Sequence, residues 1–112
     1  MKIVFYRKPN GKEPVKEELL NLPVDERANA FERLAGVQQY GFNFTRVIFK
    51  PVKGKLREIK YKYKNQHRFL YCMVNADSMV LLHYIKKKTQ KLELQDRELA
   101  ESRMMEVLKN GE

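Results

Sequence analysis

Apolar and polar residues alternate over four short segments of this chain, which is the pattern of a β-strand with one buried face. These segments are rich in β-branched and aromatic residues and are bounded by turn-forming residues. They are residues 2–7, Leu56–Tyr63, His67–Val74 and Met79–Lys86. Residues 42–54 also contain apolar positions, but Pro51 and Gly54 interrupt them, so we expect a loop there.

Apolar residues at helical spacing predict three helices, over Pro14 to about Leu20, Pro23 to about Gly41, and Glu93–Leu108. The second helix has an apolar stripe formed by Val24, Ala28, Phe31 and Ala35, with Leu34 beside it and Asp25, Glu26 and Glu32 mostly away from it. The order β-α-α-β-β-β-α predicts an α+β fold, with a mostly antiparallel sheet and helices packed on one face. The length of 112 residues indicates one domain, covering 1–112.

The period of two residues along a strand assigns the side chains of the middle strands to two faces. We expect one set to point at the helices, namely Ile59, Tyr61, Phe69 and Tyr71. Glu58, Lys60 and Arg68 are then predicted on the opposite, open face. On the next strand His83 and Lys87 share a face, but the sequence leaves open which residues they meet across the sheet.

The positive charge of the chain is concentrated in its middle. The net charge is +9. Residues 46–91 alone carry +11, because they include thirteen Lys and Arg residues and only two acidic residues, Glu58 and Asp77. Residues 1–45 carry +1 and residues 92–112 carry −3. The cationic segment ends in Leu-Leu-His-Tyr-Ile-Lys-Lys-Lys-Thr-Gln-Lys at 81–91. Such a distribution is typical of a protein that binds a polyanion, and RNA or DNA is the expected ligand.

Several classes of protein are excluded or disfavoured by composition. Cys72 is the only cysteine, so no internal disulfide can form, and an apolar neighbourhood predicts that it is a small core residue. No spacing of His and Cys suggests a metal site, and no cofactor motif occurs. The chain lacks an apolar run of about 18 residues, which a membrane span needs. It also lacks a signal-peptide pattern, and a reducing cytoplasm is the expected compartment.

The residues of the open face suit cleavage of RNA without a metal, in which the 2′-OH attacks the adjacent phosphate. Glu58 or Lys60 could act as the base, and Arg68 could stabilise the transition state because its guanidinium contacts two phosphate oxygens. His83 could act as acid or base, and Lys87 and Lys88 could supply further phosphate contacts. Contacts to RNA are expected from Arg57, Lys62, Lys86, Lys88 and Lys91.

A second interpretation is that the protein binds nucleic acid without catalysing a reaction. The same cations could form a surface that only binds nucleic acid, and Glu58 could simply pair with Lys60 or Arg68. His83 lies among Leu81, Leu82 and Ile85, so it could equally be a histidine at the edge of the core. Arg103 could be a structural ion-pair partner within the apolar stripe of the last helix.

Three blocks of sequence carry a resemblance to a known family. They read Leu-Arg-Glu-Ile-Lys at 56–60, His-Arg-Phe-Leu-Tyr at 67–71, and Val-Leu-Leu-His-Tyr-Ile-Lys-Lys-Lys-Thr-Gln-Lys at 80–91, with Ala100 and Arg103 further on. The chain resembles the phage-derived Gp49-like, HigB-type toxins of the RelE superfamily of toxin–antitoxin systems. The resemblance implies a compact RelE-like fold. It also implies an mRNA interferase that cuts mRNA on the ribosome and is neutralised by a cognate helix-turn-helix antitoxin.

The resemblance also implies roles for particular residues. Arg68 matches the arginine that stabilises the phosphate, and Lys87 or Lys88 matches the basic residue after the last strand. Lys60 stands where arginine is usual, which keeps the charge but loses the two-pronged contact. Arg57 and Tyr84 stand where tryptophan and glycine are common. A toxin that has kept the fold and antitoxin binding but lost activity therefore remains a third interpretation.

Overall fold

The computed structural model describes residues 1–87 and 91–110. The predicted α+β class is confirmed, and the predicted elements occur in the predicted order, with one strand added. The elements are β1 (Lys2–Phe5), α1 (Pro14–Leu20), α2 (Val24–Tyr40), a 3-10 turn (Gly41–Asn43), β2 (Ile48–Lys53), β3 (Leu56–Tyr63), β4 (Asn65–Asn75), β5 (Ser78–Lys87) and α3 (Leu94–Lys109).

The five strands form one mixed sheet in the order β1-β5-β4-β3-β2. Strand β1 runs parallel to β5, and the other neighbours are antiparallel. Strands β3 and β4 form a tight hairpin in which Tyr63 pairs with Asn65 across Lys64 alone. Lys64 adopts a left-handed backbone with φ of 65°. The hairpin therefore places Lys60 beside Arg68 and, two positions further along, Lys62 beside Gln66.

The prediction of a loop over 42–54 is wrong. Residues Ile48–Lys53 form β2, which is the edge of the sheet and pairs with β3. Pro51 is paired with Arg57, and the register shifts between Pro51 and Lys53. Proline is tolerated at such an edge because its missing N–H need not serve a second neighbour. A proline, which would break an interior strand, is therefore poor evidence against an edge strand.

Helices α1 and α2 pack on one face of the sheet, as predicted, where the expected residues Ile59, Tyr61, Phe69 and Tyr71 are all buried. The expected stripe on α2 is wrong, because Val24, Ala28 and Ala35 are exposed, and the buried positions are Glu26, Ala30, Leu34 and Val37. The buried stripe has the predicted helical period but begins two residues later, which turns it to another side of the helix. The helix therefore buries a carboxylate, which the sequence did not predict.

Helix α3 packs against the strand side chains that point away from α1 and α2, so it covers the other face of the sheet. Ala100, Met104 and Val107 form a second apolar cluster with strand residues that include Leu70 and Cys72. Cys72 is fully buried, as predicted, and burial raises the pKa of its thiol to about 11. The face that was expected to be open is therefore partly closed by α3.

Close packing of α2 on the 3-10 turn requires a glycine. A Cβ added at Gly36 would collide with the Phe44 ring. We predict that Gly36→Ala destabilises the fold, because overpacking costs about 1–3 kcal/mol while the better helix propensity returns only about 1 kcal/mol. Urea unfolding measures the difference. In a Phe44→Leu background the collision is removed and the same change should be neutral or stabilising; an equal loss in both backgrounds would contradict this explanation.

Candidate nucleic-acid interface

Strand register brings four of the predicted site residues onto one surface. Lys60 on β3 pairs with Arg68 on β4, and two positions further along Lys62 pairs with Gln66, which pairs with Lys87 on β5. Side chains that are paired across strands have Cβ atoms about 4.5–5.5 Å apart, so these cations share one side of three adjacent strands. We call the surface formed by Lys60, Lys62, Arg68 and Lys87 the cationic face.

Within the cationic face, Arg68 is held by a carboxylate. Its Nη1 atom lies 3.4 Å from Oε2 of Glu58, and both residues are only 6% exposed. The expectation that Glu58 and Arg68 lie on an open face is therefore wrong, because α3 and its apolar cluster enclose this side of the sheet. A buried charge is tolerated when an opposite charge neutralises it, so each residue keeps the other in place.

Asp96, in the first turn of α3, joins two other predicted residues. Its Oδ1 atom lies 2.9 Å from Nε2 of His83, and its Oδ2 atom accepts a hydrogen bond of 3.0 Å from Nζ of Lys87. Nζ of Lys87 also lies 3.0 Å from Oε1 of Glu93. The acidic start of α3 is therefore bound to one end of the cationic face.

These contacts shift the pKa values of the two partners in opposite directions. Burial acts to raise the pKa of Asp96, but the hydrogen bonds from His83 and Lys87 outweigh it, and the pKa lies below its usual value. The hydrogen bonds to Asp96 and Glu93 raise the pKa of Lys87. Lys87 is therefore a persistent cation at neutral pH, which suits a phosphate ligand better than a proton donor.

His83 is positioned as a histidine at the edge of the core. A bulge in β5 leaves His83 paired with Leu70, on the side of the sheet that α3 covers. Its Nε2 atom contacts Asp96, and its Nδ1 atom is buried without a hydrogen-bond partner among the described residues. With neither nitrogen open to a substrate, the geometry favours a role in orienting Asp96 over one in moving a proton.

The structure does not bring every predicted residue to the cationic face. Arg57 lies on the opposite side of β3, paired with Tyr71. Lys86 also turns away, and its Nζ atom donates a hydrogen bond of 2.9 Å to Oε2 of Glu26 on α2. Lys91 is exposed in the connection before α3, and Lys88 lies outside the described residues.

Two acidic residues that control these cations were missed by sequence reasoning. Glu26 is 5% exposed and accepts hydrogen bonds from Lys86 and from Asn65. In the sequence, Asp96 is one of the acidic residues of segment 92–112 and carries no signal of its own. Both occupy the first turn of a helix, where carboxylates are favoured, and this was the one available signal. Their lysine partners are distant in sequence or on another element, so only the tertiary structure reveals them.

Two negative findings concern the described residues 1–87 and 91–110. They include no group of three or more His, Cys, Asp or Glu side chains that could hold a metal ion. No helix within them is both long and apolar enough to cross a membrane.

The three helices, the five-stranded mixed sheet and the cationic face define a small α+β domain consistent with the RelE-like fold. The family described as phage-derived protein Gp49-like (DUF891) matches residues 17–105. This match covers most of the chain, which therefore belongs to the Gp49-like family, a family associated with RelE/HigB-like toxins. No curated protein matches the chain.

The buried pair between Glu58 and Arg68 can be tested by a double-mutant cycle. Either Glu58→Leu or Arg68→Met should lower the free energy of unfolding by about 3–5 kcal/mol, because each leaves an unpaired buried charge. The double variant should lose much less than the sum, because no buried charge remains. Strictly additive losses, measured by urea unfolding, would show that the two side chains do not interact.

The Asp96 contacts predict a pH-dependent contribution to stability. Because the pKa of Asp96 is lower in the folded protein than its unfolded value of about 3.9, its ionised form stabilises the fold above that pH. The contribution is lost as the pH falls through the folded pKa. We expect Asp96→Asn to cost about 1–3 kcal/mol at neutral pH and progressively less in acid. Glu98→Gln, an exposed change on the same helix, is the control and should show no such dependence.

Proposed function

We propose that this protein is the toxin of a type II toxin–antitoxin system and a ribosome-dependent mRNA interferase, a metal-independent endoribonuclease. Membership of the Gp49-like family supports the toxin–antitoxin class. The single observation that carries the reaction is the cationic face, in which Lys60, Arg68 and Lys87 lie on three adjacent strands. This spacing suits one RNA backbone that crosses the strands.

The proposed reaction is an internal transfer within RNA. The 2′-OH loses its proton to a base, and its oxygen attacks the neighbouring phosphorus. The bond from phosphorus to the 5′ oxygen breaks, and that oxygen takes up a proton. The products are a 2′,3′-cyclic phosphate and a 5′-OH end. Cations that contact the phosphate oxygens stabilise the charge that develops during the attack.

The geometry suggests how the residues divide this work. A phosphate that enters the cationic face competes with Glu58 for the guanidinium of Arg68, since both are oxyanions. When the phosphate binds Arg68, the carboxylate of Glu58 is released beside it and is a suitable base. Lys60, half-buried next to Arg68, is a second candidate for the base or a phosphate contact. Lys87 serves as a permanent cation.

The same pair gives a reason for dependence on the ribosome. Arg68 and Glu58 are almost fully buried, so free RNA must displace a carboxylate and also reach an enclosed group. An mRNA held rigidly in the decoding site would bind more readily than flexible free RNA, because the conformational entropy of the mRNA is already lost. The protein would accordingly act in the cytoplasm, where mRNA is translated.

The family also supports an antitoxin as partner. We propose that a cognate helix-turn-helix antitoxin places an acidic segment over the cationic face. Exposed Lys62 and half-exposed Lys87 are the accessible cations for such a segment. Occupation of this face would exclude mRNA directly.

One observation favours a second candidate, a binding module of phage origin without catalytic activity. The predicted catalytic residues are already neutralised, Arg68 by Glu58 and Lys87 by Asp96 and Glu93. Such a protein would use its exposed cations only to contact phosphates or the antitoxin. Its binding would weaken steeply with salt, and each lost cation would reduce affinity by a small, similar step.

Cleavage of mRNA during translation tests the main proposal. We expect translating ribosomes with this protein to yield shortened mRNA with 2′,3′-cyclic phosphate ends, detected by primer extension and end-specific ligation. Arg68→Lys keeps a charge opposite Glu58 but loses the two-pronged contact, and should slow cleavage about 10²- to 10³-fold. Lys2→Gln, an exposed change on β1, is the matched control and should cleave normally.

The same experiment separates the two candidates. Intact message in the presence of wild-type protein, together with harmless expression in cells, would exclude the interferase. A folded Arg68→Lys variant that binds ribosomes but no longer cleaves would exclude the binding module.

A further inference from the structure

A group of exposed apolar side chains lies at the β2 edge of the sheet, outside the cationic face. Tyr40, Phe42 and Ile48 are 55%, 49% and 52% exposed. The Phe42 ring packs edge-on against Phe49 with centroids 5.1 Å apart, and Tyr40 is stacked with Phe44 at 6.1 Å. Each ring is therefore fixed by the protein while about half of its surface meets solvent. We call Tyr40, Phe42 and Ile48 the aromatic edge.

This concentration differs from the rest of the described surface. The other large apolar side chains that are exposed among the described residues are spread over α1, α2 and α3, as Leu20, Val24, Leu94, Leu99 and Met105. Single exposed apolar residues are ordinary, but a cluster of three within nine positions of the chain marks a binding surface more often. Phe44, on which Tyr40 stacks, itself packs closely against Gly36 of α2.

The aromatic edge meets the cationic face at β2, the edge strand of the sheet. Ile48 pairs with Lys60, and Lys50 pairs with Glu58, so both side chains of β2 lie on the same side of the sheet as Lys60 and Arg68. Phe49, on which the Phe42 ring packs, pairs with Ile59 and lies on the side that α1 and α2 cover. Two strand spacings separate Ile48 from Arg68, which is about 10 Å. Because β2 is the edge strand, one strand of nucleic acid that passes around this edge can contact Phe42 on one side of the sheet and Lys50 on the other.

The charge around the aromatic edge is entirely positive in sequence. Residues 33–57 contain six Lys and Arg residues and no Asp or Glu. Arg46 is exposed and lies 3.4 Å from Glu32, while Lys50 is exposed beside Ile48. Fixed aromatic rings interleaved with cations are the chemistry of a single-strand binding surface, because every base offers a face for stacking and every phosphate a charge.

We propose that the aromatic edge binds the single-stranded RNA that flanks the cleaved phosphate, with a base stacked on Phe42 and a phosphate on Lys50. This inference rests on the proposed function and deepens it, since it identifies residues that position the substrate rather than react with it. RNA satisfies both features of the surface with one chain. A protein partner would need apolar and strongly acidic residues together.

The absence of tryptophan from the sequence permits a specific test. Phe42→Trp introduces a single tryptophan into the aromatic edge, and Met105→Trp introduces one at an exposed position on α3 as the control. Each variant is titrated with a short 2′-O-methyl oligoadenylate, which cannot be cleaved, and anisotropy of a labelled oligonucleotide measures binding. We expect the oligonucleotide to quench the fluorescence of F42W in parallel with binding and to leave M105W nearly unchanged.

Substitutions that remove the ring give the size of the effect. Phe42→Leu keeps apolar volume but not stacking, and should weaken binding roughly 5- to 100-fold, since stacking of one base contributes about 1–3 kcal/mol. Phe42→Tyr keeps a ring and should bind normally. On ribosomes, Phe42→Leu should raise KM for cleavage with little change in kcat.

Other outcomes overturn the inference and show whether the proposed function survives. If wild-type protein cleaves mRNA on ribosomes while bound oligonucleotide leaves F42W unquenched, the aromatic edge is not the RNA site and the interferase stands. If the purified antitoxin, but not the oligonucleotide, shifts the emission of F42W, the edge is a protein-docking surface. If no oligonucleotide binds and no message is cut, the inference and the proposed function fall together.

Discussion

A sheet covered by helices on both faces buries several charged side chains of its inner strands, and each buried charge needs a partner of opposite charge. This constraint organises the molecule. Arg68 on β4 is neutralised by Glu58 on β3, and Lys87 at the end of β5 is bound by Asp96 of α3. On the other face Glu26 of α2 receives Lys86. Asp96 and Glu26 link α3 and α2 to the sheet, and Glu58 links its strands β3 and β4.

The same partners give the cationic face its proposed mode of action. A phosphate carries the same kind of charge as the carboxylates that now occupy Arg68 and Lys87, so RNA can replace them without leaving a cation unpaired. The resting protein is then stable because its binding groups are satisfied internally. RNA binding would therefore have to displace carboxylates from Arg68 and Lys87, because both cations already have partners in the resting protein.

The edge strand β2 adds exposed side chains to this arrangement of charges, which composition alone did not indicate. It adds Lys50 to the side of the sheet that carries Lys60, and the 3-10 turn before it presents Phe42. The central strands supply buried, paired charges, while the edge supplies exposed rings and cations. A substrate that extends from the edge strand to the central strands would bind at the edge and react near the centre, so binding and reaction would use different residues.

The sequence by itself determined the class of fold, the faces of β3 and β4, and the cationic middle, because period and charge are local properties of the chain. It also supplied the family resemblance. The sequence pattern gave a wrong prediction for β2, since Pro51 is harmless at an edge. It also gave a wrong buried stripe for α2, which runs through Glu26, Ala30, Leu34 and Val37. Only the tertiary structure decided that Lys60 stands beside Arg68, that α3 closes the face, and that Asp96 holds His83 and Lys87. Cross-strand register and helix placement arise from contacts between residues far apart in the chain, and no local pattern encodes which residues will meet.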